Sequence, residues 1–229
     1  MKDDLVLLVV GSGGREFAVA KKLKESPHVK TVYCAPGNVG MQTIGVETVP
    51  IEETDLDGLL DFAQSKHVDW TFVGPENVLC AGITDKFEKA GQKIFGPNQR
   101  AAQLEGSKDY ALRFMSKYNI PTARYETYAS AETCIAGLKN FDYPVVIKED
   151  GLAGGKGVTI AQNQDVAEET IREMFAGGQT AVVLEECLVG PEYSMFMVVS
   201  EDQFTILPMA QDHKRVGDGD KGPNTGGMG

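Results

Sequence analysis

A short apolar run followed at once by a glycine-rich stretch with lysines constrains this chain more than any other feature. Residues 145–147 (Val-Val-Ile) are β-branched and apolar, which predicts a strand. Lys148 ends that strand, and the glycines of 151–157 expose backbone N–H groups that can donate to phosphate oxygens. Because Lys148 and Lys156 add positive charge, the segment predicts a loop that closes over a polyphosphate. A plain hairpin turn with solvated lysines is the alternative, and no G-x-x-x-x-G-K-[ST] pattern occurs.

Length, charge and cysteine content exclude several classes of protein. A chain of 229 residues holds one large domain or two ordinary ones. The net charge of −11 argues against a nucleic-acid partner. No apolar run reaches the roughly 18 residues of a membrane span, and the first strand is too short for a signal-peptide core, so no membrane partner is expected. The 4 cysteines are scattered without a C-x-x-C pair, which predicts reduced thiols and a cytoplasmic location.

Strands alternate with helices over the first hundred residues. This alternation predicts a parallel sheet with right-handed crossovers, in which ligands gather at the carboxyl ends of the strands. The alternation stops between residues 96 and 106, and an α+β pattern with antiparallel strands follows, so we expect a domain boundary there. The predicted strands are 5–10, 31–35, 68–73, 93–95, 124–128, 144–148, 158–161, 181–186, 192–199 and 203–207, and the predicted helices are 15–25, 56–65, 83–90, 98–105, 107–118, 131–138 and 165–175.

The loop after the first strand, residues 11–16, invites a dinucleotide interpretation. That interpretation fails at Glu16, where the pattern G-x-G-x-x-G needs its third glycine. The following helix can still bind an anion through its free N–H groups, and Arg15 adds a clamp suited to one phosphate monoester. A tight turn with Arg15 facing solvent is the alternative. Glu76, after the strand at 68–73, could hold ribose hydroxyls or an amine, or it could cap the following helix.

Acidic residues and a glycine-rich tail mark the second half. Glu185 and Glu186 close an apolar strand at a linker whose backbone could read adenine, and Glu192 could accept hydrogen bonds from ribose hydroxyls. A solvated strand end is the alternative for the adjacent pair of acids. The tail, residues 212–229, is flexible by composition and carries cations that attract anions, with a disordered linker as the alternative.

The motifs of this chain are spread over its whole length. They are Gly11-Ser-Gly-Gly-Arg-Glu, Ala35-Pro-Gly-Asn, Gly74-Pro-Glu, Leu104-Glu-Gly-Ser-Lys108, the glycine loop of 146–157, Glu185-Glu186 and residues 211–229, which end in Gly-Pro-Asn-Thr-Gly-Gly-Met-Gly. Together they resemble the glycinamide ribonucleotide synthetase family, the phosphoribosylamine–glycine ligases of the ATP-grasp superfamily.

The resemblance implies an α/β protein with two domains. An N-terminal parallel-sheet, Rossmann-like pre-ATP-grasp domain would cover 1–100, and an α+β ATP-grasp portion would cover 101–229, with a lid subdomain at about 122–192. The implied reaction joins glycine to 5-phosphoribosylamine through glycyl phosphate, converting ATP to ADP and phosphate in de novo purine synthesis. ATP and Mg²⁺ (or Mn²⁺) are the implied cofactors, the substrates are small molecules, and the oligomeric state stays open, with a monomer as one option.

Carried over by position, the resemblance implies two groups of site residues and no metal ligand within this segment. The ATP-binding group is Lys108, Lys148, Gly154, Gly155, Lys156, Gly157, Glu185, Glu186, Cys187, Leu188 and Glu192. The substrate-binding group is Gly13, Gly14, Arg15, Asn38, Glu76, Asp212, Lys214, Arg215 and Asn224.

Two departures from the family pattern affect these expectations. Phe17 stands where the family usually has histidine. The chain stops at Gly229, about halfway through the family's length, so we expect an ATP-grasp domain that is incomplete at its C-terminus. Its metal ligands would then lie beyond Gly229, and the segment alone would be inactive. The rival hypotheses are another ATP-grasp enzyme (biotin-carboxylase-like or N5-carboxyaminoimidazole ribonucleotide synthetase), a non-catalytic nucleotide-binding module, and an NAD-binding domain, which fails at Glu16.

Overall fold

The chain folds into two compact units, Met1–Gly106 and Ser107–Gly229. The structure is a computed structural model that describes residues 3–152, 157–213, 215–219 and 221–225, with 215, 223 and 224 described by their backbone alone. The division between the units coincides with a helix start, because the Ser107 hydroxyl accepts a hydrogen bond from the Tyr110 N–H at 3.1 Å and so caps the second unit's first helix.

The first unit alternates strands and helices, as predicted. In chain order its elements are β1 (Leu5–Gly11), α1 (Gly14–Lys24), β2 (Val29–Pro36), α2 (Val39–Gln42), β3 (Glu47–Thr48), α3 (Leu56–Ser65), β4 (Trp70–Val73), α4 (Glu76–Cys80), α5 (Ile83–Lys89), β5 (Ile94–Phe95) and α6 (Gln99–Gly106).

A parallel five-stranded sheet with the order β3-β2-β1-β4-β5 forms the centre of this unit. Its middle strand is apolar along its whole length because both of its faces are covered. Leu8 packs on one face with Leu59 of α3 and Phe87 of α5. Val9 packs on the other face with Ala20 of α1. The predicted parallel, Rossmann-like architecture is therefore confirmed.

Three short elements of the first unit lack a sequence signal of their own. They are the helix α2, the two-residue strand β3 and the helix α4, each of which is shorter than two helical turns or one typical strand. The position of α2 is fixed by capping rather than by periodicity, because the side chain of Asn38 accepts a hydrogen bond from the Gly40 N–H at 2.9 Å.

The second unit is α+β, as predicted. Its elements are α7 (Lys108–Lys117), β6 (Tyr125–Tyr128), α8 (Ala131–Gly137), a 3₁₀ helix (Leu138–Asn140), β7 (Val145–Glu149), β8 (Val158–Ala161), α9 (Gln164–Ala176), β9 (Val182–Glu186), β10 (Met197–Ser200), β11 (Gln203–Ile206), β12 (Arg215–Gly217) and β13 (Lys221–Asn224).

An antiparallel four-stranded sheet with the order β6-β9-β7-β8 carries the core of this unit. Val145 and Ile147 of β7 are fully buried and pack with Ile171 of α9 and Cys134 of α8. The pleat therefore turns the alternate residues Val146 and Lys148 to the opposite face of the sheet.

Two hairpins complete the described part of the second unit. The predicted hairpin is present as β10 and β11, whose side chains are exposed, as Met197 (53%) and Phe204 (63%) illustrate. In the tail, where composition predicts flexibility, β12 pairs with β13 instead. Gly219 has a φ of +72° between those strands, a backbone conformation that glycine adopts without strain. Within the described ranges, no helix has the length and apolarity to cross a membrane.

Candidate functional site

An ion pair lies at the carboxyl end of β7. Val146 pairs with Glu185 across β7 and β9, and Lys148 projects from the same face two residues further on. The Lys148 Nζ donates to the Glu185 Oε2 at 2.6 Å, with the two side chains 28% and 9% exposed. Because an ammonium group has three donors, this pair leaves donors on Lys148 for another acceptor, such as a phosphate oxygen.

The N-terminus of α7 contacts the chain where it leaves β7. The Ser107 hydroxyl donates to both carboxylate oxygens of Asp150, at 3.2 and 3.3 Å, and the Asp109 N–H donates to its Oδ1 at 3.2 Å. The Lys108 Nζ donates to the Gly151 carbonyl at 2.6 Å. The structure thus brings the predicted site lysines Lys108 and Lys148 to the same end of β7.

The glycine loop is described only at its two ends. The Glu149 N–H donates to the Gly157 carbonyl at 2.9 Å, which extends the pairing of β7 with the strand that follows the loop. The predicted ATP contacts Gly154, Gly155 and Lys156 lie outside the described residues.

The linker after β9 begins with an acid that closes the sheet. The Glu186 Oε1 accepts from the Arg124 N–H at 2.7 Å, and the Glu186 N–H donates to the Arg124 carbonyl at 3.0 Å. Cys187 is half-buried, Leu188 is 70% exposed, and Glu192 is exposed. The side chain of Glu186 therefore fixes the start of β6, while the linker beyond it is accessible.

The predicted substrate residues of the tail are described in part. Asp212 is half-buried. Arg215 pairs with Asn224 in the hairpin of β12 and β13, by backbone register alone. Lys214 lies outside the described residues.

In the first unit, the loops at the carboxyl ends of β1 and β2 are joined by hydrogen bonds. Asn38 donates through its Nδ2 to the Ser12 carbonyl at 2.8 Å, and the Gly37 N–H donates to the Gly11 carbonyl at 3.1 Å. The predicted substrate residue Asn38 thus has a structural partner at both ends of its amide, since its oxygen caps α2.

Arg15 bridges to the loop after β4. Its Nη1 donates to the Gly74 carbonyl at 3.0 Å and lies 3.6 Å from the Glu76 Oε2. The Arg15 side chain is 67% exposed, so an anion can reach it. A cleft of about 330 Å³ lies beside it. The cleft is lined by Arg15, Gly74, Glu76, Leu79, Pro97, Ala102 and Glu105.

Glu16 is buried beneath these loops, at 5% exposure. Its Oε2 accepts from the Gly13 N–H at 2.7 Å. A Cβ on Gly74 would lie 2.5 Å from the Glu16 Cδ, and one on Gly11 would lie 2.7 Å from its Cγ. A Cβ on Gly14 would have no such neighbour within 4 Å. The residue that breaks the dinucleotide pattern therefore fills the space that glycines leave between two strand ends.

Two buried thiols stay protonated at neutral pH. Burial, with a smaller contribution from the charge of Glu16, raises the pKa of Cys34 to about 12, and its Sγ donates to the Gly11 carbonyl at 3.3 Å. Burial likewise raises the pKa of Cys134 to about 12. Both thiols therefore act as small apolar groups of the cores rather than as nucleophiles.

Within the part of the chain that the structure describes, no three His, Cys, Asp or Glu side chains come together to hold a metal ion. The described residues therefore offer no such cluster to a resident Mg²⁺ or Mn²⁺.

Family models match nearly the whole chain. Phosphoribosylglycinamide synthetase, N domain, matches residues 5–105, and phosphoribosylglycinamide synthetase, ATP-grasp (A) domain, matches residues 106–229. The chain belongs to the phosphoribosylglycinamide synthetase family. The resemblance that the motifs indicate is therefore confirmed, as is the combination of a parallel-sheet unit with an ATP-grasp unit.

Curated relatives of this chain share about half of its residues. The phosphoribosylamine–glycine ligase of Lactococcus lactis subsp. lactis (strain IL1403) is 52% identical over 223 residues, covering 97% of this chain and 54% of that protein. The phosphoribosylamine–glycine ligase of Streptococcus suis is 52% identical over 228 residues, with the same two coverages. The chain spans about half the length of the curated relatives that it matches.

Solved structures agree with this assignment. The phosphoribosylamine–glycine ligase of Thermotoga maritima superposes with a TM-score of 0.79 at 36% identity, over 98% of this chain and 54% of that one. An N5-carboxyaminoimidazole ribonucleotide synthetase in complex with ADP gives a TM-score of 0.72 at 17% identity, over 96% of this chain and 56% of that one. At that identity the second match shows a shared fold only.

Two features of the site are not predicted by the sequence patterns. The first is the role of Glu16, which the dinucleotide pattern marks only as a missing glycine, although an acid three residues after an N-cap position is a known partner for the N-cap N–H. The second is Asp150, which lies in the segment of the glycine loop without a role predicted for it. An acid directly after a strand is only a weak sign that it will contact a distant helix cap, because only the fold brings Asp150 and Ser107 together.

Proposed function

We propose that this chain binds the nucleotide and phosphoribosylamine of a phosphoribosylamine–glycine ligase. The reaction would join glycine to 5-phosphoribosylamine and give glycinamide ribonucleotide, ADP and phosphate. The observation that carries the proposal is the match of both family domains, in order, to a chain with about half of its residues identical to ligases of that name.

In the proposed reaction a glycine carboxylate oxygen attacks the γ-phosphorus of ATP, and ADP leaves. The amine nitrogen of phosphoribosylamine then attacks the acyl carbon of glycyl phosphate, the bond from that carbon to the phosphate oxygen breaks, and the departing phosphate takes up the proton that the nitrogen loses. Both steps build up negative charge on a leaving phosphate group, so positioned cations supply most of the catalysis. Any divalent cation would accompany ATP as part of the substrate.

For the nucleotide, we assign the phosphates to the end of β7. The Lys148 ammonium group keeps N–H donors that its bond to Glu185 does not use. Lys108 bonds to a carbonyl, which is neutral, so that contact does not neutralise the charge of its ammonium group. The linker residues Cys187 and Leu188 would offer backbone groups to adenine, and Glu192 would offer its carboxylate to the ribose. The lid subdomain proposed for 122–192 has its own sheet and core, which supports its treatment as a separate part.

For phosphoribosylamine, we assign the phosphate to the N-terminus of α1 and Arg15. The helix end offers N–H groups, and the largely exposed guanidinium adds a bidentate donor. Glu76 lines the adjacent cleft and would accept from the ribose hydroxyls or the amine. The free thiols support a reducing, cytoplasmic setting.

Calorimetry of this 229-residue chain with ATP and Mg²⁺, beside an assay of phosphate release, tests the proposal. We expect ATP binding that Lys148→Ala weakens at least tenfold and that Lys139→Ala, an exposed lysine of the same unit, leaves unchanged. Phosphate release that depends on both glycine and phosphoribosylamine would show the full reaction. ATP binding without turnover would mark the chain as a nucleotide-binding module, and the absence of ATP binding would contradict the proposal.

A further inference from the structure

Among the described residues, Asp150 is the one carboxylate that accepts hydrogen bonds from both the capping hydroxyl and a first-turn N–H of α7. The Ser107 hydroxyl lies within 3.3 Å of both oxygens, and the Asp109 N–H lies 3.2 Å from Oδ1. The Asp150 N–H in turn donates to the Ala181 carbonyl at 3.3 Å, just before β9. Asp150 therefore contacts the helix through its side chain and the end of the sheet through its backbone.

Among the residues that the structure describes, a helix end rather than a lysine meets the charge of Asp150. The N-terminus of α7 carries partial positive charge, and the contacts to Ser107 and Asp109 are hydrogen bonds from neutral donors. Lys108 meanwhile bonds to the carbonyl of Gly151, the residue after Asp150, at 2.6 Å. The arrangement holds Lys108 beside the loop without placing its ammonium group in an ion pair with Asp150.

We propose that Asp150 is a positioning residue that places Lys108 for the phosphates of the nucleotide. By holding the first turn of α7 against the end of β7, it sets the distance between Lys108 and Lys148. This inference rests on the proposed nucleotide site, which assigns the phosphates to these two lysines. It adds a residue that does not touch the phosphates and acts through Lys108.

The test is a set of dissociation constants for ATP with Mg²⁺, measured on the 229-residue chain below its unfolding temperature. We expect Asp150→Ala to weaken ATP binding about tenfold and Asp150→Asn, which keeps an oxygen acceptor, to weaken it less. The control is Asp165→Asn, an exposed acid in the first turn of α9, which removes the same charge from another helix end of the same unit. It should change the affinity less than twofold.

A second arm separates positioning from a merely structural role. If Asp150 acts through Lys108, then Asp150→Ala should cost little affinity in a Lys108→Ala background, because the two effects are not additive for residues acting as a unit. Faster hydrogen exchange at the Asp109 amide should accompany Asp150→Ala. If Asp150→Ala does not fold, Asp150→Asn carries both arms.

The outcomes are distinct. ATP binding by the unmodified chain that Asp150→Ala leaves unchanged overturns the positioning role while the proposed function stands. Additive losses in the double variant also overturn it, since Asp150 would then act independently of Lys108. No ATP binding by the unmodified, folded chain overturns the proposed function and this inference together.

Discussion

Replacing Lys148 by methionine tests whether its ion pair with Glu185 stabilises the second unit. The two side chains are joined by a 2.6 Å contact and are 28% and 9% exposed. Methionine keeps most of the length of the side chain and removes its charge. Lys148→Met therefore leaves a largely buried carboxylate without its cation, which is the costly way to break such a pair.

The structure sets the size of the expected effect. A hydrogen bond to a charged group contributes about 1.5–3 kcal/mol, and removing one partner of a fully buried pair costs about 3–5 kcal/mol. Because Lys148 is more than a quarter exposed, water screens the pair and partly solvates the carboxylate left behind. We therefore expect Lys148→Met to lower the free energy of unfolding by about 2 kcal/mol, and Lys148→Met with Glu185→Gln to recover about half of that loss.

Hydrogen exchange of peptides that span β7 and β9 measures these changes within the second unit. Measured on the unmodified chain, on each single variant (Lys148→Met and Glu185→Gln) and on the double variant, it gives the coupling free energy between the two side chains. Lys139→Met, the same substitution at an exposed lysine of this unit, serves as the control and should change stability by less than about 0.5 kcal/mol. A coupling free energy indistinguishable from zero would mean that the pair is no stronger than a solvated one and does not stabilise the unit.

Three further predictions concern the first unit. Arg15→Ala should weaken binding of ribose 5-phosphate at least tenfold with the affinity for ATP unchanged, by calorimetry; the reverse pattern would mean that the two sites are exchanged. Gly74→Ala should lower the free energy of unfolding by about 2 kcal/mol, since overpacking typically costs about 1–3 kcal/mol and its Cβ would lie 2.5 Å from the Glu16 Cδ. Gly14→Ala, with open space around it, should be neutral or stabilising in denaturant melts, and equal losses at both glycines would disprove the steric argument. Because burial raises the pKa of Cys34 to about 12 from an ordinary value of about 8.5, the folded state keeps a proton that the unfolded chain loses. Stability should then fall as the pH rises from about 8.5 towards 12, less steeply in Cys34→Ala, and identical pH profiles would contradict this.

The regular elements follow directly from residue patterns. The helix at Leu56–Ser65 and the strand at Val158–Ala161 have the predicted bounds, because apolar periodicity and the flanking turn residues are both local signals. The same holds for the parallel sheet, since the apolar run at Leu5–Gly11 requires cover on both faces.

The contacts that build the site depend on the fold instead. Lys148 and Glu185 lie 37 positions apart in sequence, and their meeting depends on the antiparallel register of β7 with β9. The bond from Ser107 to Asp150 spans 43 positions and depends on where α7 begins. A residue type can suggest a role, but the partner of each side chain is set by strand order and register, which local patterns do not specify.

A crystal structure of this chain with a non-hydrolysable ATP analogue would show directly whether Lys108 and Lys148 hold the phosphates. We expect phosphate oxygens within about 3.2 Å of both the Lys148 Nζ and the Lys108 Nζ, with Lys108 released from the Gly151 carbonyl or sharing its donors with it. An analogue bound elsewhere, with both ammonium groups keeping their present partners, would contradict it.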